Sequence, residues 1–462
     1  MPGCGRTVRS SVEGWRMTWQ KVTPPAALLA ASAAVYWPTT RTFFVGDDWW
    51  WLHFASTTMS KPGGWLSVFI QANGMGTYRP LTENVYFWLC WQLFGASPLG
   101  FHLVALAVFL AAVWAVWRLC YRFVDGPWLA AGVAALFVGC TAGYEMLDWA
   151  AAFSEVGAVA CMAFGALAFL SGRRRHAAAW CVAGLLCDET AMALPLMLLA
   201  ASFLSAPWPF LPAVRRTLRE TRGALAVFVA YVGVRFGILG AHATGAFTIV
   251  LSPKVWAAEV WRSLAWTLDM TDVLRNVAMA ARPEVVALLS IGALAGLSAL
   301  ALAVRRRDPA GLLLAATGAA WWIIGLLPLL PVANDFSAYN IAGALLGMPL
   351  LAAGTMRGAK GWARGAAPAM GAALLVLGAA TVYGPGGLAK VDGVVTLSAQ
   401  ARAAWVQMVA AREAVDPATF CAPASASWTL NGQWEVSLAD PGSAVVYAKC
   451  PAGSVPLHLG KG

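Results

Sequence analysis

Two adjacent carboxylates, Asp47 and Asp48, follow the first apolar run of the chain and lead straight into Trp49-Trp50-Trp51 and His53. A carboxylate that close to apolar surface is costly unless it is used, so the pair is a candidate for acid–base chemistry at the membrane boundary. The bland alternative is a helix N-cap before Trp49. Tryptophan belts favour the headgroup region, which makes the Trp49–Trp51 run an expected interfacial anchor. Further along, Tyr78-Arg79-Pro80 offers a planar guanidinium that can hold two oxygens of a phosphate at once. Glu145/Asp148, Asp188/Glu189, Asp335 and Tyr339 are the remaining polar residues set at the ends of apolar runs.

The rest of the chain is what must position these groups. Of 462 residues, 60% are hydrophobic and only 12% charged, the composition of a multi-pass membrane protein. The net charge of +10 is not a nucleic-acid signature here, because 19 of the 32 Lys and Arg fall in six clusters that each abut an apolar segment. These clusters are Arg6–Lys21, Arg118/Arg122, Arg173–Arg175, Arg215–Arg222, Arg305–Arg307 and Arg357–Arg364. The positive-inside rule puts all six in the cytoplasm and no nucleic acid among the partners.

That assignment predicts an all-α polytopic protein of about eleven transmembrane helices in residues 1–383, with interfacial helices in the first outer loop between Gly46 and Ser97. The region between Arg175 and Arg215 is expected as two short helices meeting at an outer turn, Cys187-Asp188-Glu189-Thr190. Residues 384–462 are expected as a small extracytoplasmic cap with strand-like pieces at 434–438 and 444–447. The expected setting is an inner plasma membrane, with the N-terminus cytoplasmic and the C-terminus outside. Seven of the nine cysteines read as small core residues. Cys421 and Cys450, alone in the polar tail, are expected to form a disulfide. No metal-ligand spacing is present, so a divalent metal has no support and no cofactor is called for. Neither GxxxxGK[ST], HExxH nor GxSxG occurs.

With this topology, Asp47/Asp48, Tyr78/Arg79, Glu145/Asp148, Asp188/Glu189, Asp335 and Tyr339 share the outer face. The series Gly46-Asp47-Asp48, Tyr78-Arg79-Pro80-Leu81-Thr82, then Leu93-Phe94-Gly95 through Phe101-His102-Leu103 resembles the N-terminal signature of the GT-C membrane glycosyltransferases. It is most similar to bacterial relatives of the protein O-mannosyltransferase and TMTC-type families. Cys187-Asp188-Glu189-Thr190 through Pro195, and Leu327-Pro328 through Tyr339, resemble two later elements of those families. Asp188 stands where the family has lysine, and Ala338 where it has arginine.

The resemblance implies a cell-envelope transferase that uses a polyprenyl-phosphate sugar donor in the bilayer and a protein, glycan or lipid acceptor. One of Asp47 and Asp48 would be the base, and the resemblance favours Asp47. Arg79 would hold the donor phosphate with help from Tyr339, while Tyr78, His102, Glu145, Asp188, Glu189 and Asp335 would support the site. His102 and His53 also read as helix-start packing residues, and Glu189 as an ion-pair partner for Arg235. Glu145 and Asp148 also read as residues that merely solvate a loop. A lipid or solute transporter, or a catalytically inactive relative, is the alternative function.

Overall fold

Proline at the first helical position opens three of the long apolar helices, at Pro98, Pro127 and Pro309. Its ring presets the helical φ, and its missing N–H is one the helix would leave unpaired anyway. In the computed structural model, the residues described are 22–59, 61–70, 77–205, 209–239, 250–267, 308–331, 337–357, 362–384 and 387–414, with four strand segments beyond.

Residues 22–36 form α1. A 3-10 turn, Trp37–Arg41, leads into α2, Asp47–Thr57. A π-helical turn, Pro80–Tyr86, continues into α3, Phe87–Phe94. There follow α4 (Pro98–Cys120), α5 (Pro127–Gly139), α6 (Phe153–Leu170), α7 (Arg174–Cys187) and α8 (Ala193–Leu204). The long α9 spans Phe210–Leu239, and α10 spans Pro253–Thr267. Then come α11 (Pro309–Leu326), α12 (Gly347–Met356), α13 (Trp362–Tyr383) and α14 (Gly393–Ala414).

Four helical stretches are long and apolar enough to cross a membrane: Pro98–Cys120, Ala150–Leu170, Pro309–Leu326 and Pro368–Lys390. A fifth is reached if Ala338–Leu345 and Gly347–Met356, bent by 40°, count as one span. Pro127–Gly139 and Glu189–Leu204 are apolar but shorter. The architecture is that of a helical membrane protein. Against about eleven expected spans, these four or five are what length and composition support among the described residues. The expected span over 285–303 lies outside them. Leu93, Val229 and Val376 are 72%, 68% and 68% exposed, so apolar side chains also line the outside of the bundle.

The tightest seam is between α11 and α12. Gly311, Gly318 and Gly325 recur every seven residues along α11. A Cβ at Gly318 would land on the Leu351 backbone and one at Gly354 on Ala315 N, while one at Gly325 would meet Ala344 in the short helix Ala342–Leu345 just before α12. From the other side, a Cβ at Gly347 would meet Gly318 O and Trp322 N. Backbone thus lies on backbone for the length of the pair, the packing that small residues allow between helices in a membrane. Gly371 of α13 meets Gly132 of α5 in the same way.

The tail departs from the expectation in one respect. It begins with a helix of 22 residues, α14, before any strand. Four short strands follow: β1 (Thr419–Cys421), β2 (Glu435–Val436), β3 (Ala444–Tyr447) and β4 (Val455–Pro456). They form one sheet in the order β2-β3-β1-β4, with β1 parallel to β3 and β4. The proposed Cys421–Cys450 disulfide falls on residue 450, outside the described residues. Cys90, Cys120, Cys140, Cys161, Cys181 and Cys187 are buried free thiols.

Candidate functional site

Gly46 fixes how the acid pair is presented. Its φ of 51° and ψ of −119° suit the first central position of a type II′ turn, where glycine is favoured, and Asp48 N–H closes the turn onto Val45 O at 3.0 Å. The turn sends the two carboxylates different ways. Asp48 is buried, 1% exposed. Its Oδ2 accepts from Val45 N–H at 2.8 Å and its Oδ1 from Ala151 N–H at 2.6 Å. Burial pushes its pKa well above the usual carboxylate range, and the two backbone bonds pull it part of the way back. Asp47 is only half-buried, in the first turn of α2. One aspartate therefore ties α2 to the start of the 150–170 span, and the other is left at the surface of the site.

The tryptophans that follow do not anchor in headgroups as expected. Trp49 and Trp51 are each 3% exposed. Trp49 packs edge-on against Phe44 at 5.8 Å and lies 5.5 Å from Trp405 of α14. Aromatic packing across the chain has taken them into the core, so the interfacial preference does not decide their place.

His102 is a strut. Its Nδ1 lies 2.9 Å from the carbonyl oxygen of Leu147 and must carry a proton, while Nε2 lies 3.0 Å from the Thr42 hydroxyl. With both nitrogens occupied and the ring 1% exposed, it binds the start of α4 to the segments before Asp47 and Asp148.

Arg79 sits in a bowl of acids. Its Nε is 2.6 Å from Glu189 Oε2 and 2.9 Å from Asp188 Oδ2, and a terminal nitrogen is 3.4 Å from Glu83 Oε1. Arg235 of α9 reaches Glu189 Oε1 at 3.7 Å, so the expected pair exists but the contact to Arg79 is the shorter. Asp188 also accepts from Thr190 N–H at 2.8 Å, which caps the 3-10 turn Glu189–Met192. The cation is thus held by α7 and the following turn, more than a hundred residues away in sequence. Glu83 is raised to about 8 by burial, with Arg79 and the Thr77 hydroxyl at 2.6 Å opposing the shift. Burial thus works against a third full negative charge beside Arg79, and the guanidinium works for it.

The network continues through a residue the sequence reading missed. Glu155, buried in the 150–170 span, accepts from the Thr190 hydroxyl at 3.1 Å and from Asn340 Nδ2 at 3.0 Å. The signal was present: a lone carboxylate within an apolar span. Tyr339, next to Asn340, packs edge-on against Trp149 at 6.2 Å, and Trp149 Nε1 donates to Val45 O at 3.4 Å. This chain of contacts joins the Arg79 bowl to the Asp47/Asp48 turn. Tyr78 is buried, donates to Phe69 O at 3.0 Å and lies 6.3 Å from Tyr231. Asp335 lies outside the described residues.

A second acid group was only half anticipated. Asp148 is fully buried rather than solvating a loop. Its pKa is raised well above the usual range by burial and then by Asp392, which stands just before α14 and accepts from Val394 N–H at 2.8 Å. Glu145 rises to about 7 from burial and the same Asp392 charge. Nothing in the sequence ties Asp392 to Asp148, 244 positions away.

Arg122 donates to Ser171 and Leu170 O, Arg174 and Arg216 both pair with Glu220, and Arg357 reaches Asp308 at 3.9 Å. Arg122 and Arg357 follow the C-terminal ends of α4 and α12, Arg174 opens α7, and Arg216 lies within α9. Among the described residues, no group of three His, Cys, Asp or Glu side chains is arranged to hold a metal ion. No protein-family model matches this chain, and no curated protein sequence matches it.

Proposed function

We propose that the chain is a membrane-embedded glycosyltransferase of the GT-C type, moving a sugar from a polyprenyl-phosphate carrier to an acceptor hydroxyl on the outer face of a plasma membrane. The observation that carries this is the division of labour in the acid pair. Asp48 spends both oxygens on backbone N–H groups and so fixes the turn, which sets the adjacent, half-buried Asp47 in the first turn of α2. A fixed turn presenting one carboxylate is what general-base activation of a hydroxyl needs.

In the proposed step the acceptor oxygen attacks the anomeric carbon. Its proton passes to Asp47, and the bond from the anomeric carbon to the phosphate oxygen breaks. The phosphate leaves with the electron pair, and the anomeric centre inverts. Arg79, with its guanidinium already engaged by three carboxylates, serves to hold the 187–190 turn against Pro80–Tyr86. To take a donor phosphate it would first have to release Asp188 or Glu189.

Transfer from labelled polyprenyl-phosphate sugar in reconstituted membranes tests the reading. Asp47→Asn is expected to lower turnover by roughly 10²–10⁴, the usual contribution of a general base. Full turnover in both Asp47→Asn and Asp48→Asn would overturn it and move a transporter ahead. The charged Arg79–Glu189–Arg235 string inside the bundle is the observation that favours that second reading.

A further inference from the structure

A cavity of about 790 Å³ opens where α1 and the 368–390 span end, walled on one side by α14. Three cations line it, Arg41, Lys390 and Arg402, and no carboxylate does. All three side chains are exposed, and none forms an ion pair among the described residues. This is the reverse of the Arg79 bowl, where acids outnumber cations. The Ser398 hydroxyl, also on the wall, accepts from Phe43 N–H at 2.7 Å and keeps its own proton to donate. The rest of the wall is mostly apolar, with Pro38, Val395 and Val406, the last 60% exposed, beside the polar Thr42, Tyr383 and Gln407. Tyr383, which also lines it, is 49% exposed.

Two guanidinium forks and an ammonium converging on an apolar cleft suit a phosphate that carries a hydrocarbon chain. The forks take paired phosphate oxygens, the ammonium adds a point charge, and the apolar wall takes the first units of the chain. The cleft is also tied to the acid pair through a short stretch of chain. Thr42 lines it and is five residues from Asp47, a backbone reach of at most about 18 Å. We infer that this cavity is the binding site for the phosphate of a single-chain prenyl phosphate, the carrier class required by the proposed transferase reaction, on which this assignment rests.

The test measures binding of farnesyl phosphate to the full chain in phosphatidylcholine nanodiscs, with farnesol, inorganic phosphate and phosphatidylglycerol as competitors. Saturable binding of farnesyl phosphate is expected, weakened about tenfold by Arg41→Gln or Arg402→Gln and about a hundredfold by both together. Arg402→Lys should recover part of the loss, which a folding defect would not. Farnesol should compete poorly, showing that the phosphate is needed.

Unchanged binding in the Arg41→Gln/Lys390→Gln/Arg402→Gln variant would overturn the assignment. So would inorganic phosphate competing as well as farnesyl phosphate, which marks a small-anion site. Equal competition by phosphatidylglycerol would overturn it too, marking a general headgroup contact. Asp47→Asn separates the two readings. It should bind farnesyl phosphate normally while turnover falls by roughly 10²–10⁴. If it still transfers sugar at the full rate, the transferase mechanism fails while the phosphate site stands.

Discussion

Replacing each member of the acid pair in turn separates a structural carboxylate from a chemical one. In Asp48→Ala, two buried backbone donors, Val45 N–H and Ala151 N–H, lose acceptors at 2.8 and 2.6 Å. Each orphaned donor costs about 1–3 kcal/mol. Part of that is offset because a carboxylate whose ionised form was disfavoured by burial has gone, leaving a net loss of about 2–4 kcal/mol. Asp48→Asn keeps one acceptor oxygen but turns an NH₂ toward the other donor, for a loss of about 1–3 kcal/mol.

Asp47→Asn keeps the side chain's shape and removes a first-turn charge from α2, which should cost about 1 kcal/mol. Apparent melting temperatures in nanodiscs, followed by tryptophan fluorescence, should rank wild type and Asp47→Asn together, then Asp48→Asn, then Asp48→Ala. Turnover should rank differently, with Asp47→Asn the least active per folded molecule. A stable Asp48→Asn protein that has lost turnover, beside a fully active Asp47→Asn, would refute the assignment and exchange the two roles.

Other outcomes follow from the same contacts. Glu145 and Asp148 carry raised pKa values in the folded chain, so the folded state holds protons that the unfolded chain releases at neutral pH. Their contribution to stability is complete below the unfolded carboxylate pKa of about 4, and that of Glu145 is lost as pH rises through about 7. Thermal stability should therefore fall between pH 5 and pH 8. Asp392→Asn, which keeps an acceptor for Val394 N–H, should flatten that profile. Arg79→Met leaves Asp188 and Glu189 without their shared cation and should cost about 3–5 kcal/mol, recovered in part by adding Asp188→Asn; urea titration of the detergent-solubilised protein would read both. Gly318→Val should abolish accumulation of folded protein. Gly233→Ala, in a helix with no heavy atom near the new Cβ, should be neutral or gain about 0.5–1 kcal/mol, judged by fluorescence-detected gel filtration.

The elements with local signals were legible in the sequence. Pro98 ahead of an apolar run that ends at Arg118 marks both ends of α4, and the 150–170 span ends before Arg173–Arg175 in the same way. The polar turn at 187–190 between two short apolar runs was visible too, as was the gathering of acidic residues at one end of the bundle. What the sequence hid were pairings across long separations. Arg79 looks free until α7 carries Asp188 and Glu189 to it. Trp49 looks interfacial until α14 brings Trp405 against it. The tail helix itself escaped notice because Gly393–Ala414 mixes Gln400 and Arg402 with alanines and has little amphipathic pattern, whereas alternation further along drew attention to the strands.

The glycine seam between α11 and α12 limits how this protein can move. Side chains that interdigitate can exchange rotamers and let two helices slip, but here the contact is main chain against main chain, with nothing to rotate. The pair must travel as one plank, carrying Tyr339 and Asn340 at a constant height against Glu155. Any opening of the bundle therefore falls to parts held through side chains. Chief among these is α14, which rests on Trp49 and Phe43 through Trp405 and would work as the hinged shutter of a fixed frame.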